Sequence, residues 1–318
     1  IQAERAKRVF AMLRKACRHA GFLNGVTVAV VLLLVPWLTV EVQSAESPVS
    51  RWFPDAVYEL DKELAVGGYV VRVWHDIASN SRPYHGIVTI AAKGQVLVRH
   101  EWALGVEDLS GTDITGEGNP DIIIQTYSGG AHCCFGMFLY DLGTELTEVP
   151  MPASPGGNHC GRFEDLDEDG IYEFLSVDDS FAYRYCAYAG TPIVRVVLKY
   201  EPGAGYVPAS PEFAYLYTED ISIHTQWAER ARQGLVHNGW DDTSKCSVLP
   251  LILDYLYSGY PDMAWDALYK YYAFPDIEEF RADIEQVVYG SPYFAFPTKS
   301  NATKETELPL VRIRVQGL

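Results

Sequence analysis

The chain has 318 residues, with 25 Lys and Arg against 42 Asp and Glu and a formal net charge of −17. That acidity argues against nucleic acid and anionic membrane surfaces as partners, since both repel a negatively charged protein. Its length and 48% hydrophobic content suffice for one large domain or two smaller ones, each with its own core.

Residues 1–45 read as a signal peptide or a membrane anchor. Arg14, Lys15 and Arg18 precede the apolar run Val26 to Leu38, and small residues follow at Ser44 and Ala45, which is the layout of a cleaved secretory signal. The anchor reading takes Phe22 to Val40 as a span, although Asn24, Gly25 and Pro36 interrupt it. Under either reading the bulk of the protein is extracytoplasmic, secreted or periplasmic, because the basic flank stays inside. Membrane contact is then expected only through that segment. Residues 46–318 alone carry 19 basic and 40 acidic side chains, which fits a protein that binds cations.

Residues 46–210 read as a mainly β domain. His85 to His100 alternates around Lys93-Gly94, and Ile193 to Tyr200 turns through Glu201-Pro-Gly-Ala-Gly into Tyr206-Val, so both stretches are expected as hairpins. Between them lie two acidic loops in one frame, Asp113-Ile-Thr-Gly-Glu117-Gly-Asn-Pro-Asp121 and Asp165-Leu-Asp167-Glu-Asp169-Gly-Ile-Tyr-Glu173. Each has oxygen-bearing side chains at positions one, three, five and nine and a glycine at six, where a chain turns sharply around an ion. The spacing suits a hard cation that takes several oxygen ligands. Position twelve is Ile124 or Ser176 rather than the bidentate Glu of an EF-hand, and both loops run directly into strand-forming residues.

Over roughly Trp102 to Val207 these features resemble the FG-GAP or VCBS calcium-binding β-repeat family, the repeats of integrin-alpha-like propellers. The resemblance implies Ca2+ as cofactor. It implies a metal site at Asp165, Asp167, Asp169, Ile171 and Glu173, and a weaker second site at Asp113, Thr115, Glu117, Asn119 and Asp121. The implied fold is a propeller-like or sandwich-like array of two or three blades that need not close, since a closed ring takes four or more blades of ~40 to 50 residues. Acidic, glycine-containing turns without an ion are the competing reading of both loops.

From about Pro211 the pattern becomes helical, giving a small helical domain over 211–296. Helices are expected around His224 to Leu235, around Ser247 to Tyr257, from Pro261 through Tyr271, and from an Asp276 N-cap to Gly290. The aromatic string Tyr255, Tyr257, Tyr260, Trp265, Tyr269, Tyr271 and Tyr272 reads as core or docking surface more readily than as a ligand platform. Residues 297–318 form a tail with a glycosylation-type Asn301-Ala-Thr303.

Cys133, Cys134, Cys160, Cys186 and Cys246 lie outside the signal segment and are disulfide candidates in an oxidising compartment. One of the adjacent Cys133 and Cys134 is expected to reach Cys160. A Cys/His metal or redox centre built on His132-Cys133-Cys134 and His159-Cys160 is the sharper alternative, although neither segment has CxxC or HxxxH spacing. No GxSxG, HExxH, P-loop or dinucleotide fingerprint is present. His75-Asp76 and Asp178-Asp179 read as surface polar residues at strand ends rather than as an acid–base pair. The expected function is an exported, calcium-stabilised binding protein for a protein or glycan ligand, with an extracytoplasmic hydrolase or a Cys/His metal or redox protein as alternatives.

Overall fold

The computed structural model of the chain describes residues 56–78, 85–130, 133–152, 159–232 and 243–296. The signal or anchor segment and the tail with its sequon lie outside them. The chain divides into two compact units. One runs to Pro208 and includes Ser291–Tyr293, and the other begins at Ala209 and resumes at Phe294.

The first unit is all β. Seven strands, β1 (Tyr58–Val66), β2 (Tyr69–Asp76), β3 (Gly86–Ala92), β4 (Gln95–Val106), β5 (Asp121–Gly130), β6 (Cys133–Leu142) and β7 (Leu146–Val149), pair in sequence order as one antiparallel meander. A second antiparallel sheet of β8 (Arg162–Glu164), β9 (Glu173–Asp178), β10 (Val194–Glu201) and β11 (Gly205–Pro208) has the order β11-β10-β9-β8. Both sheets are open, and within each sheet the paired strands are neighbours in sequence.

Local chemistry accounts for much of this. Lys93 and Gly94 both take positive φ, 51° and 78°, the two-residue turn whose twist matches the flanking strands β3 and β4. Val71, Val73, Val88 and Ile90 alternate inward and form the core of the large sheet with Ile122, Ile124 and Tyr140. In β5 the consecutive Ile122, Ile123 and Ile124 are all fully buried, so this strand is covered on both faces.

The second unit opens with a 3-10 segment, Ser210–Tyr217, and continues as α1 (Thr218–Arg232), α2 (Thr243–Tyr257), α3 (Pro261–Tyr271) and α4 (Ile277–Gly290). Pro261 starts α3, where its missing N–H costs nothing. Ala264, Ala267, Leu268 and Tyr271 of α3 and Phe280, Ile284 and Val288 of α4 are buried at helical spacing. Lys245 bonds Asp276 at 2.7 Å and holds its carboxyl below the ordinary range, which ties α2 to the start of α4. Three of the seven residues in the aromatic string are interior. Tyr257, Tyr271 and Tyr272 are buried, while Trp265 lies 4.6 Å beneath the Arg281 guanidinium and Tyr269 is exposed. Among the described residues no helix is long and apolar enough to cross a membrane.

Candidate metal centre

The two acidic loops share one backbone. Counting Asp113 and Asp165 as position one, position four has positive φ in both loops, 72° at Gly116 and 62° at Glu168. Position six has φ of 89° at both Gly118 and Gly170. Glycine accepts that conformation without the Cβ clash other residues meet. The position-one carboxylate closes each turn by accepting backbone N–H groups, from Gly116 at 2.7 Å and Gly118 at 2.8 Å in the first loop, and from Asp169 and Gly170 at 3.1 Å in the second. The position-nine acid accepts the position-two N–H, Asp121 from Ile114 at 2.8 Å and Glu173 from Leu166 at 2.9 Å. Position nine is also the first residue of the next strand, β5 or β9. The loops touch each other, since Tyr172 N–H donates to the Ile114 carbonyl at 2.9 Å.

The second loop gathers acids. Asp165, Asp167 and Glu173 each present a carboxylate oxygen within 4.8 Å of the others. It is the one such group of three among the described residues. Glu173 is 4% exposed, and burial, with Asp167 and Asp169 nearby, pushes its carboxyl above the ordinary range. The donors are all oxygens, the set a hard cation prefers over zinc or copper. Asp169 turns instead to the N–H of Ile171 at 2.7 Å. Ile171 has only its carbonyl to offer a metal, and its side chain lies over Gly116.

The first loop uses its side chains differently. Asp113 is taken up by its own turn, and Glu117 accepts the Tyr200 hydroxyl. Thr115 donates its hydroxyl to Asp121 Oδ2 at 3.2 Å, and Asn119 Nδ2 lies 3.4 Å from Asp141 Oδ1. Asp121 is fully buried, and that burial raises its carboxyl to about 6. Asp141, opposite it on β6, carries no motif signal, and the sequence reading missed it.

Cys134, Cys160, Cys186 and Cys246 are disulfide-bonded, so Cys134 and Cys160 offer no thiolate to a metal. His132 and the side chain of Cys133 lie outside the described residues. Asp178 and Asp179 are 3% and 5% exposed, not surface residues. Asp178 is held by the Ser180 N–H and by the hydroxyls of Ser180 and Ser291. The Asp76 side chain is also buried, accepting N–H groups of Val57 and Ala78 and lying 3.7 Å from His85 Nδ1. These acids occupy strand ends as expected, but groups from other chain segments, Val57 at Asp76, His159 at Asp179 and Ser291 at Asp178, lie against them, a tertiary effect with no local signature.

The chain matches no protein family profile, and no solved structure matches it. It is 28% identical over 172 residues to the uncharacterized protein y4bJ of Sinorhizobium fredii, across 48% of this chain and 26% of that protein. It is 27% identical over 158 residues to the probable thylakoid lumen protein sll0997 of Synechocystis, across 48% of this chain and 44% of that protein. The chain therefore spans less than half the length of either relative.

Proposed function

We propose that this is an extracytoplasmic binding protein whose β unit is stabilised by calcium at the second acidic loop. The observation that carries the reading is the convergence of Asp165, Asp167 and Glu173, with Glu173 buried and its ionisation opposed by neighbouring carboxylates. Asp165, Asp167 and Glu173 would hold the ion, and Asp165 is already oriented by the Asp169 and Gly170 amides. A bound calcium supplies the positive charge that offsets this mutual repulsion. The shared loop backbone supports the FG-GAP or VCBS likeness, with a propeller-like relation between the two loop-strand units. The disulfides, and a relative described as a thylakoid lumen protein, support placement outside the cytoplasm. The partner class remains a protein or a glycan, engaged through the strand-connecting loops.

The test is thermal unfolding of the protein in excess calcium and in excess chelator. Calcium at about 100 times its Kd is expected to add about 2.7 kcal/mol, which corresponds to a rise of roughly 5–10 °C. Asp167→Asn, which removes one exposed ligand and touches no core contact, is expected to remove the share of that rise that the second loop supplies. A wild-type midpoint indifferent to calcium would sink the reading.

One observation favours the hydrolase alternative. A cavity of about 350 Å³ in the first unit is lined from both sheets, with Glu148, His159 and Ser176 among apolar walls that include Phe138 and Phe174. The charge of His159 acts on Asp179, partly countering the burial that raises the Asp179 carboxyl. Turnover of a chromogenic ester, phosphate or glycoside that disappears in His159→Ala would put this reading first.

A further inference from the structure

We infer that the first loop binds a divalent, oxygen-seeking cation of the calcium class through Asp121 together with Asp141, a ligand supplied by β6 from outside the loop. This rests on the calcium reading of the loops and extends it to a site whose composition the loop motif does not contain.

Asp121 on β5 and Asp141 on β6 are directly opposed in the antiparallel register. Asp121 donates its N–H to the Thr112 carbonyl, and its own carbonyl accepts from Gly111, while Leu142 N–H reaches the Pro120 carbonyl. The two aspartates thus form a non-hydrogen-bonded pair, the type in which opposed side chains lie closest, and like charges so placed repel. Both are more than nine-tenths buried, at 0% and 7% exposure.

Their remaining contacts leave one oxygen on each without a partner. Asp121 Oδ2 accepts from Ile114 N–H, Thr115 N–H and the Thr115 hydroxyl. Asp141 Oδ1 accepts from Gly143 N–H at 2.9 Å and faces Asn119 Nδ2 at 3.4 Å. Asp121 Oδ1 and Asp141 Oδ2 have no hydrogen-bond partner. Neither residue is ion-paired to a Lys, Arg or His among the described residues. Two opposed, buried acceptors need a positive charge between them, because leaving such oxygens unpaired is costly.

A proton shared by the pair would also supply that charge. The loop frame favours a metal ion. Asp121 stands at position nine of the same backbone in which Glu173 belongs to the gathered acids. Burial pushes the ionisation of the Tyr200 phenol up, and Glu117, Asp121 and Asp141 add to it.

Calcium stoichiometry of the full chain, measured by equilibrium dialysis, tests this. The expected result is two ions per wild-type chain, one in Asp141→Asn, one in Asp167→Asn and none in the double variant. Two ions retained in Asp141→Asn, or a single wild-type ion that Asp167→Asn removes, would overturn the assignment. If Asp167→Asn leaves the count unchanged while Asp141→Asn lowers it, the second-loop reading fails and this one stands. The folding control has its own sign. In chelator Asp141→Asn is expected to unfold at or above the wild-type midpoint, since it removes a like charge facing Asp121. A lower midpoint there would make Asp141 a structural hydrogen-bonding residue and overturn the proposal.

Discussion

Gly205→Ala is expected to destabilise the β unit by about 3 kcal/mol or more, through a backbone penalty of about 1–2 kcal/mol and an overpacking cost of similar size. Gly205 opens β11 with φ of +80°, a conformation in which an L side chain crowds its own backbone. A Cβ there would also stand 2.2 Å from the Pro150 carbonyl oxygen. That oxygen accepts the Tyr206 N–H at 2.8 Å, so it cannot retreat without breaking a hydrogen bond to buried backbone. Two residues earlier in the same turn, Gly203 has nearly the same φ, +79°, with nothing within 4 Å of its would-be Cβ. Gly203→Ala is therefore expected to cost only the backbone penalty, about 1–2 kcal/mol. Urea midpoints of the two variants separate the terms. Equal losses would mean that the Pro150 contact yields easily.

In excess chelator, Asp121 is expected to make the protein less stable as pH rises from about 4 to 7, by an amount on the order of 3 kcal/mol. Its carboxyl is raised from 3.8 to about 6, first by burial and then by the charge of Asp141, against the pull of the Ile114 and Thr115 hydrogen bonds. The folded state thus holds this proton more tightly than the unfolded chain. Its stabilisation is complete below the unfolded value and is lost as pH climbs through 6. Glu173 is raised and acts in the same direction. His100 opposes them, because burial lowers its pKa and acid must charge a partly buried ring. Comparing wild type with Asp121→Asn cancels the other groups. The variant should show a flatter profile and a higher midpoint near pH 7. With saturating calcium the wild-type slope should reverse, since the ion requires ionised carboxylates. Parallel profiles for the two proteins in chelator would show that Asp121 does not titrate in this window.

What could be read before the structure was known depended on short-range chemistry. The β3–β4 hairpin followed from alternation around Lys93-Gly94, and α3 and α4 from apolar residues at helical spacing bounded by Pro261 and Gly290. These signals survive because each element's period and turn residues act within a few positions. The acidic loops were legible for the same reason. An aspartate at position one and a glycine at position six determine a turn locally, and both loops adopt it. Strand order was not legible, since open meanders and repeated blades use the same alternating segments.

Tertiary structure alone decided which acids matter. Asp167 and Glu173 meet because the loop folds back onto the first residue of β9, whereas Asp169, equally acidic in sequence, is drawn off by a local amide. Asp141 faces Asp121 only because the β5–β6 register places it there, and Asp178 is buried in part by Ser291, 113 residues away. The amino-acid sequence by itself determined the turns, the periodic elements and the acidic frame of the two loops. Register and burial, which depend on how distant segments pack, decided which carboxylates lose their water.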